Sequence, residues 1–71
     1  MTDLNTAMMA AHATSDQNAL VALYTQAADQ AVDLDAACFF LTHAYVFALE
    51  LGHTQTEALR LRLVAEGREP A

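Results

Sequence analysis

The chain lacks several residue types that many small proteins rely on. It has no lysine and no tryptophan, and its 71 residues include one cysteine, one proline and two glycines. The single cysteine, Cys38, excludes an intrachain disulfide. Two glycines are too few for a glycine-rich phosphate-binding loop. An apolar fraction of 55% is high for a domain whose core alone is marginal, so self-association is expected.

Positive charge is also scarce. Nine acidic residues stand against three arginines, giving a net charge of −6. The arginines, Arg60, Arg62 and Arg68, all lie near the C-terminal end of the sequence. A body of this sign repels phosphate, so neither a nucleic acid nor an anionic membrane is expected as a partner.

No targeting segment is evident in the sequence. The first residues lack the positive region of a signal peptide and carry Asp3 instead. The longest mostly apolar run, residues 36–49, is shorter than the ~20 residues that a membrane span needs. We therefore expect a cytoplasmic protein without a membrane span. Abundant alanine, and arginine in place of lysine, are typical of a GC-rich bacterial genome.

Apolar periodicity and capping residues predict four helices, over about residues 3–13, 16–32, 35–51 and 55–66. Ser15 or Asp16 is expected to cap the second helix, and Asp33 or Asp35 the third. Gly52 is expected to end the third helix in a left-handed conformation. The predicted fold is a single all-α domain over residues 1–71, a small bundle of about four antiparallel helices around a central buried helix.

That central helix, residues 35–51, is apolar over roughly 220° of its circumference, whereas a surface helix needs a stripe of only about 100°. It is therefore expected to be covered on two or three sides, with Leu49 and Leu51 inside the covered arc. Thr42, His43 and Glu50 form a polar strip. Phe39 and Val46 lie within this strip.

The fourth segment is ambiguous, because residues 59–63 alternate between leucine and arginine as a strand would. Thr54 and Glu57 have the spacing of a capping box, and the segment consists mainly of helix formers. A helix is therefore predicted, stopped by Gly67 and Pro70. Arg62 and Glu66 are predicted to pair within it.

Residues 35–71 resemble a tetratricopeptide (TPR) helical hairpin, in which a glycine turn joins two helices with small residues at set intervals. The matching residues are Leu41, Ala44, Tyr45, Gly52, Ala58, Ala65 and Pro70. Cys38, Thr42 and Arg62 depart from the pattern, and the interval from Tyr45 to Ala58 is longer than in the family by about one helical turn. Residues 1–13 do not match.

The resemblance implies a protein-interaction module whose partner binds a concave surface lined by the first helices. In this chain that surface corresponds to Phe39, His43 and Val46, with Ala36 and Phe47 beside them. Helical periodicity selects the same line independently, and adds Glu50 one turn beyond Val46. Phe39, His43, Val46 and Glu50, here called the predicted strip, are therefore the candidate partner-binding residues.

The sequence predicts no catalytic, cofactor or metal site. His43 has no Cys, His, Asp or Glu at the i±3 or i±4 positions that a helical metal pair needs. Cys38 has no cationic neighbour in sequence that would activate a thiol, so we expect a buried, inert side chain. Asp29, Asp33 and Asp35 are explained by capping and solvation near a helix–helix turn.

The sequence therefore predicts a non-enzymatic protein-interaction module, either a homodimer or the accessory subunit of another protein. One alternative is a regulatory domain that binds a small apolar ligand between its helices. Another is an acidic mimic that occupies the nucleic-acid-binding site of a basic partner, although the acidic residues do not line one face.

Overall fold

The computed structural model describes residues 3–68 and contains four α-helices. They are α1 (Leu4–Ala13), α2 (Gln17–Gln30), α3 (Leu34–Leu51) and α4 (Thr56–Ala65). No strand occurs within the described residues, so residues 59–63 are helical despite their alternation. The prediction of a small all-α bundle of four helices is confirmed.

Three aspartates fix the starts of the first three helices. The side chains of Asp3, Asp16 and Asp33 accept hydrogen bonds from the backbone N–H groups of Thr6, Ala19 and Ala36. Each bond satisfies a donor that the first helical turn leaves unpaired. Of the predicted alternatives, Asp16 rather than Ser15 caps α2, and Asp33 rather than Asp35 caps α3.

Gly52 ends α3 in the left-handed conformation, with φ of 63°, as predicted. The predicted capping box after it is wrong: α4 begins at Thr56, and Thr54 lies in the preceding turn. His53 instead provides a hydrogen bond just before α4, because its Nδ1 accepts the backbone N–H of Gln55 at 3.0 Å. Pro70, expected to stop α4, lies outside the described residues.

Each helix packs against the next helix in the chain, and the α2–α3 contact is the most extensive. Small residues permit this close approach: Ala44 and Ala48 of α3 are fully buried, and Ala27 and Ala28 of α2 are almost so. The main core contains side chains from α2, α3 and α4. Its members are Val21, Ala28, Cys38, Leu41, Ala44, Ala48, Leu59 and Leu63.

The arginine–carboxylate pairs differ from the predicted one. Arg62 does not pair with Glu66 but donates to Asp29 of α2 at 2.8 Å. The two residues are 33 positions apart, and only the packing of the helices brings them together. A nearby carboxylate on α2 thus replaces the local i,i+4 partner that the sequence offered.

Helix α3 lies between α2 and α4 but is covered over a narrower arc than expected. Only Cys38, Leu41, Ala44 and Ala48 are buried, whereas Leu49 is 52% exposed and Leu51 38% exposed. Leu49 lies on the side of α3 that the two flanking helices leave open, and Leu51 is the last residue of the helix. With 18 residues and a mean hydropathy of 1.4, α3 meets the length and composition of a membrane span, as core helices of soluble proteins also do.

Candidate functional site

The open side of α3 carries a line of exposed apolar side chains. Phe39 is 58% exposed, Val46 44% and Leu49 52%, and Thr42 between them is also exposed. Helix α1 therefore does not cover Phe39 and Val46. We call Phe39, Thr42, Val46 and Leu49 the exposed α3 strip. It shares Phe39 and Val46 with the predicted strip, and Leu49 joins it from the arc that was expected to be covered.

His43, the second member of the predicted strip, is half-buried. Its ring stacks on that of Tyr24 in α2, with centroids 5.2 Å apart and planes at 13°. Its Nδ1 lies 2.9 Å from the carbonyl oxygen of Phe39, which can only accept, so Nδ1 carries the proton. These two contacts fix His43 at the edge of the surface and support Phe39, whose ring centroid is 4.5 Å away.

An aromatic cluster, which the sequence did not predict, connects Phe39 of the strip to α2 and α1. Tyr24 is at its centre: its hydroxyl lies 3.0 Å from Nε2 of His12, which joins α1 to α2. His12 also meets Phe47 of α3 edge to face at 6.0 Å. The cluster comprises His12, Tyr24, Phe39, Phe40, His43 and Phe47. Phe47 was expected beside the binding surface, but no local pattern connects His12 to Tyr24.

The polar groups beside the strip already have partners within the chain. The Thr42 hydroxyl donates to the carbonyl oxygen of Cys38 at 2.8 Å. Glu50, the last member of the predicted strip, is exposed and accepts a hydrogen bond from Gln17 of α2 at 3.0 Å. No buried side-chain nitrogen or oxygen of the described residues lacks a hydrogen-bond partner. A partner could therefore cover the line from Phe39 to Leu49 without having to supply hydrogen bonds to Thr42 or Glu50, because both already have partners within the chain.

A charged pair lies at the start of the strip. Arg68, after α4, donates to Asp35 at 2.6 Å. This hydrogen bond raises the pKa of Arg68, so the guanidinium stays charged. The pair borders an open cleft of about 410 Å³ lined by Asp35, Cys38, Phe39, Thr42, His43 and Arg68. One end of the strip thus carries the Asp35–Arg68 ion pair, and the other carries the acidic Glu50.

A second open cleft, of about 450 Å³, lies among α1, the end of α2 and the start of α3. Its larger apolar lining residues are Leu4, Met8, Val32 and Phe40. Val32 is 96% exposed, so this cleft continues into an apolar part of the surface.

Within residues 3–68, no three His, Cys, Asp or Glu side chains lie close enough together to hold a metal ion. Cys38 is 2% exposed, as predicted, and is a core residue. No family model matches this chain, and no curated protein or solved structure is significantly similar to it. A functional proposal therefore starts from the surface chemistry of the described residues.

Proposed function

We propose that this chain is a non-enzymatic helical interaction module that associates with a second copy of itself through the exposed α3 strip. The observation that carries the proposal is the row of Phe39, Val46 and Leu49, each 44% to 58% exposed on one helix. Single exposed apolar residues are common, but a contiguous row is typical of a protein-binding surface.

The environment of the strip supports this proposal. Stacking on Tyr24 and a bond to the Phe39 carbonyl hold His43, so the surface around Phe39 is preorganised and loses little freedom on binding. The small size of the domain also favours association, because its own core is limited. The TPR resemblance points to the same side of α3, where Phe39, His43 and Val46 correspond to the family's binding positions.

Charge further restricts the partner. All three arginines are paired with carboxylates: Arg60 with Glu57, Arg62 with Asp29 and Arg68 with Asp35. With a net charge of −6, the chain retains an excess of negative charge, which disfavours nucleic acid as a partner.

The proposal is tested by sedimentation velocity at micromolar concentrations. The native chain is expected to sediment as a dimer, and Phe39→Asp or Val46→Asp as a monomer of near-native helicity. A carboxylate at the dimer interface would be desolvated without a partner, whereas on an open monomer surface it stays solvated.

Leu61→Asp serves as the matched control, because Leu61 is equally exposed, at 52%, but lies on α4. It is expected to leave the dimer intact. The proposal fails if the native chain is monomeric at these concentrations, or if Leu61→Asp dissociates the dimer as strongly as the strip variants do.

The cleft lined by Leu4, Met8, Val32 and Phe40 favours one alternative, the binding of a small apolar ligand between helices. Methionine adapts its shape easily to such ligands. A fluorescent apolar probe such as ANS would then bind the native chain, and Met8→Glu would abolish this binding. Absence of native-state probe binding would remove the alternative.

A further inference from the structure

The exposed α3 strip has the spacing of a coiled-coil seam. Phe39, Thr42, Val46 and Leu49 follow one another at intervals of three, four and three, which is the alternation of the a and d positions in a heptad. All four residues are exposed, and α2 and α4 cover the other sides of α3. A second helix with complementary apolar side chains would complete a two-helix seam on this face of α3.

The strip is complementary to a reversed copy of itself. It has a large side chain at each end, Phe39 and Leu49, with the smaller Thr42 and Val46 between them. When two such helices run in opposite directions, Phe39 of one packs between Val46 and Leu49 of the other. Thr42 then lies close to the two-fold axis. Its hydroxyl already donates to the Cys38 carbonyl oxygen, so it needs no hydrogen-bond acceptor from the second copy.

The charges at the ends of the strip select the same direction. A parallel pair would place Glu50 beside its own copy, and like charges at such distances repel. An antiparallel pair separates the two Glu50 side chains and places each near the Asp35–Arg68 ion pair of the other copy, where the Arg68 guanidinium balances the Asp35 charge. The helix dipoles also favour this arrangement, because the negative end of each α3 lies beside the positive end of the other.

We propose that two copies of this chain dimerise through antiparallel α3 helices, with Phe39 packed between Val46 and Leu49 of the second copy and Glu50 facing Arg68 of the second copy. This inference rests on the proposed function and adds its partner geometry. The interface is isologous, so every contact occurs twice and the assembly closes at two subunits.

Two single-cysteine variants test the direction of the pair, both in a Cys38→Ala background so that only the introduced thiol reacts. Thr42→Cys places the two thiols near the two-fold axis. Glu50→Cys places them about 20 Å apart in the antiparallel pair, given ~1.5 Å per helical residue. A disulfide needs Cα atoms within about 7 Å.

Under mild oxidation, Thr42→Cys is expected to form a covalent dimer at least ~10 times faster than Glu50→Cys. Comparable rates for both variants would indicate parallel helices and overturn the antiparallel geometry. Slow reaction of both, with a dimer still present by sedimentation, would overturn the antiparallel geometry and place the dimer contact away from the exposed α3 strip, while self-association itself would stand. A native chain that sediments as a monomer would instead refute the proposed function itself.

Circular dichroism of each reduced variant verifies that it folds before oxidation. Both introduced cysteines replace exposed residues, so both variants are expected to retain native helicity. If Cys38→Ala lowers helicity, Cys38→Ser offers a second background of nearly the same side-chain volume. The comparison of the two cross-linking rates is then repeated there with the same expected result.

Discussion

The imidazole of His43 stacks almost parallel on the ring of Tyr24, whose hydroxyl meets Nε2 of His12 at 3.0 Å. One side chain of α2 thus contacts both α1 and α3. This places Tyr24 at the junction of three helices and connects it, through His43, to Phe39 of the exposed α3 strip.

Tyr24→Phe keeps the stacking surface but removes the hydrogen bond to His12. We expect it to lower the free energy of unfolding by about 1 kcal/mol, the usual worth of such a bond. Tyr24→Ala removes the ring as well. It should lower the free energy of unfolding by about 2–3 kcal/mol, because the ring contacts are lost and a cavity is left in their place. Urea denaturation at fixed protein concentration measures both values. Equal stability of the two variants would show that the ring contributes nothing.

Gly52→Ala tests the end of α3. Gly52 has φ of 63°, and a Cβ at this position would meet nothing within 4 Å, so backbone strain is the only penalty. We expect a loss of about 1 kcal/mol in the free energy of unfolding. Gly52→Asn is the control, since asparagine tolerates this conformation better and should cost less. If alanine were neutral, the left-handed cap would be unimportant for stability.

Cys38 is 2% exposed within the core shared by α2, α3 and α4. A thiol reagent must therefore wait for the protein to open before it can react. We expect slow labelling of the native chain and rapid labelling in denaturant. The reaction is measured by the absorbance of the thiolate that the reagent releases. Rapid native labelling would place the thiol at the surface and reopen a redox role for it.

The cap of α1 should be sensitive to acid. Hydrogen bonds from Thr6 lower the pKa of Asp3 below its ordinary value of 3.8. A carboxyl whose pKa is lowered by folding stabilises the fold above its unfolded pKa, and this contribution disappears as pH falls through the lower folded pKa. The effect is therefore confined to pH values near and below 3.8.

NMR titration of the Asp3 carboxyl is expected to give a pKa below that of a denatured reference. Asp3→Asn retains a capping side chain and should remove the acid dependence of α1, whereas Asp3→Ala should fray the helix at every pH. An unshifted Asp3 pKa would contradict the cap seen here.

For α3, the sequence predicted the ends of the helix correctly but not which of its apolar side chains would be exposed. Its apolar period, the Asp33 cap and the Gly52 end are local features, and they located the helix to within one residue at each terminus. Periodicity also identified Phe39 and Val46 as apolar residues on the wetter side of the helix. It placed Leu49 with the core, because an apolar side chain near the edge of a wide arc gives no indication of whether a neighbour will cover it.

The four helices and most of their ends follow from local features of the sequence, because helical hydrogen bonds and caps join residues three or four positions apart. Three features could not be read from the sequence: His12 contacts Tyr24, Arg62 pairs with Asp29, and Leu49 is exposed. These outcomes depend on the angles and separations at which whole helices pack. Many residues set those quantities jointly, so no local spacing in the sequence encodes them.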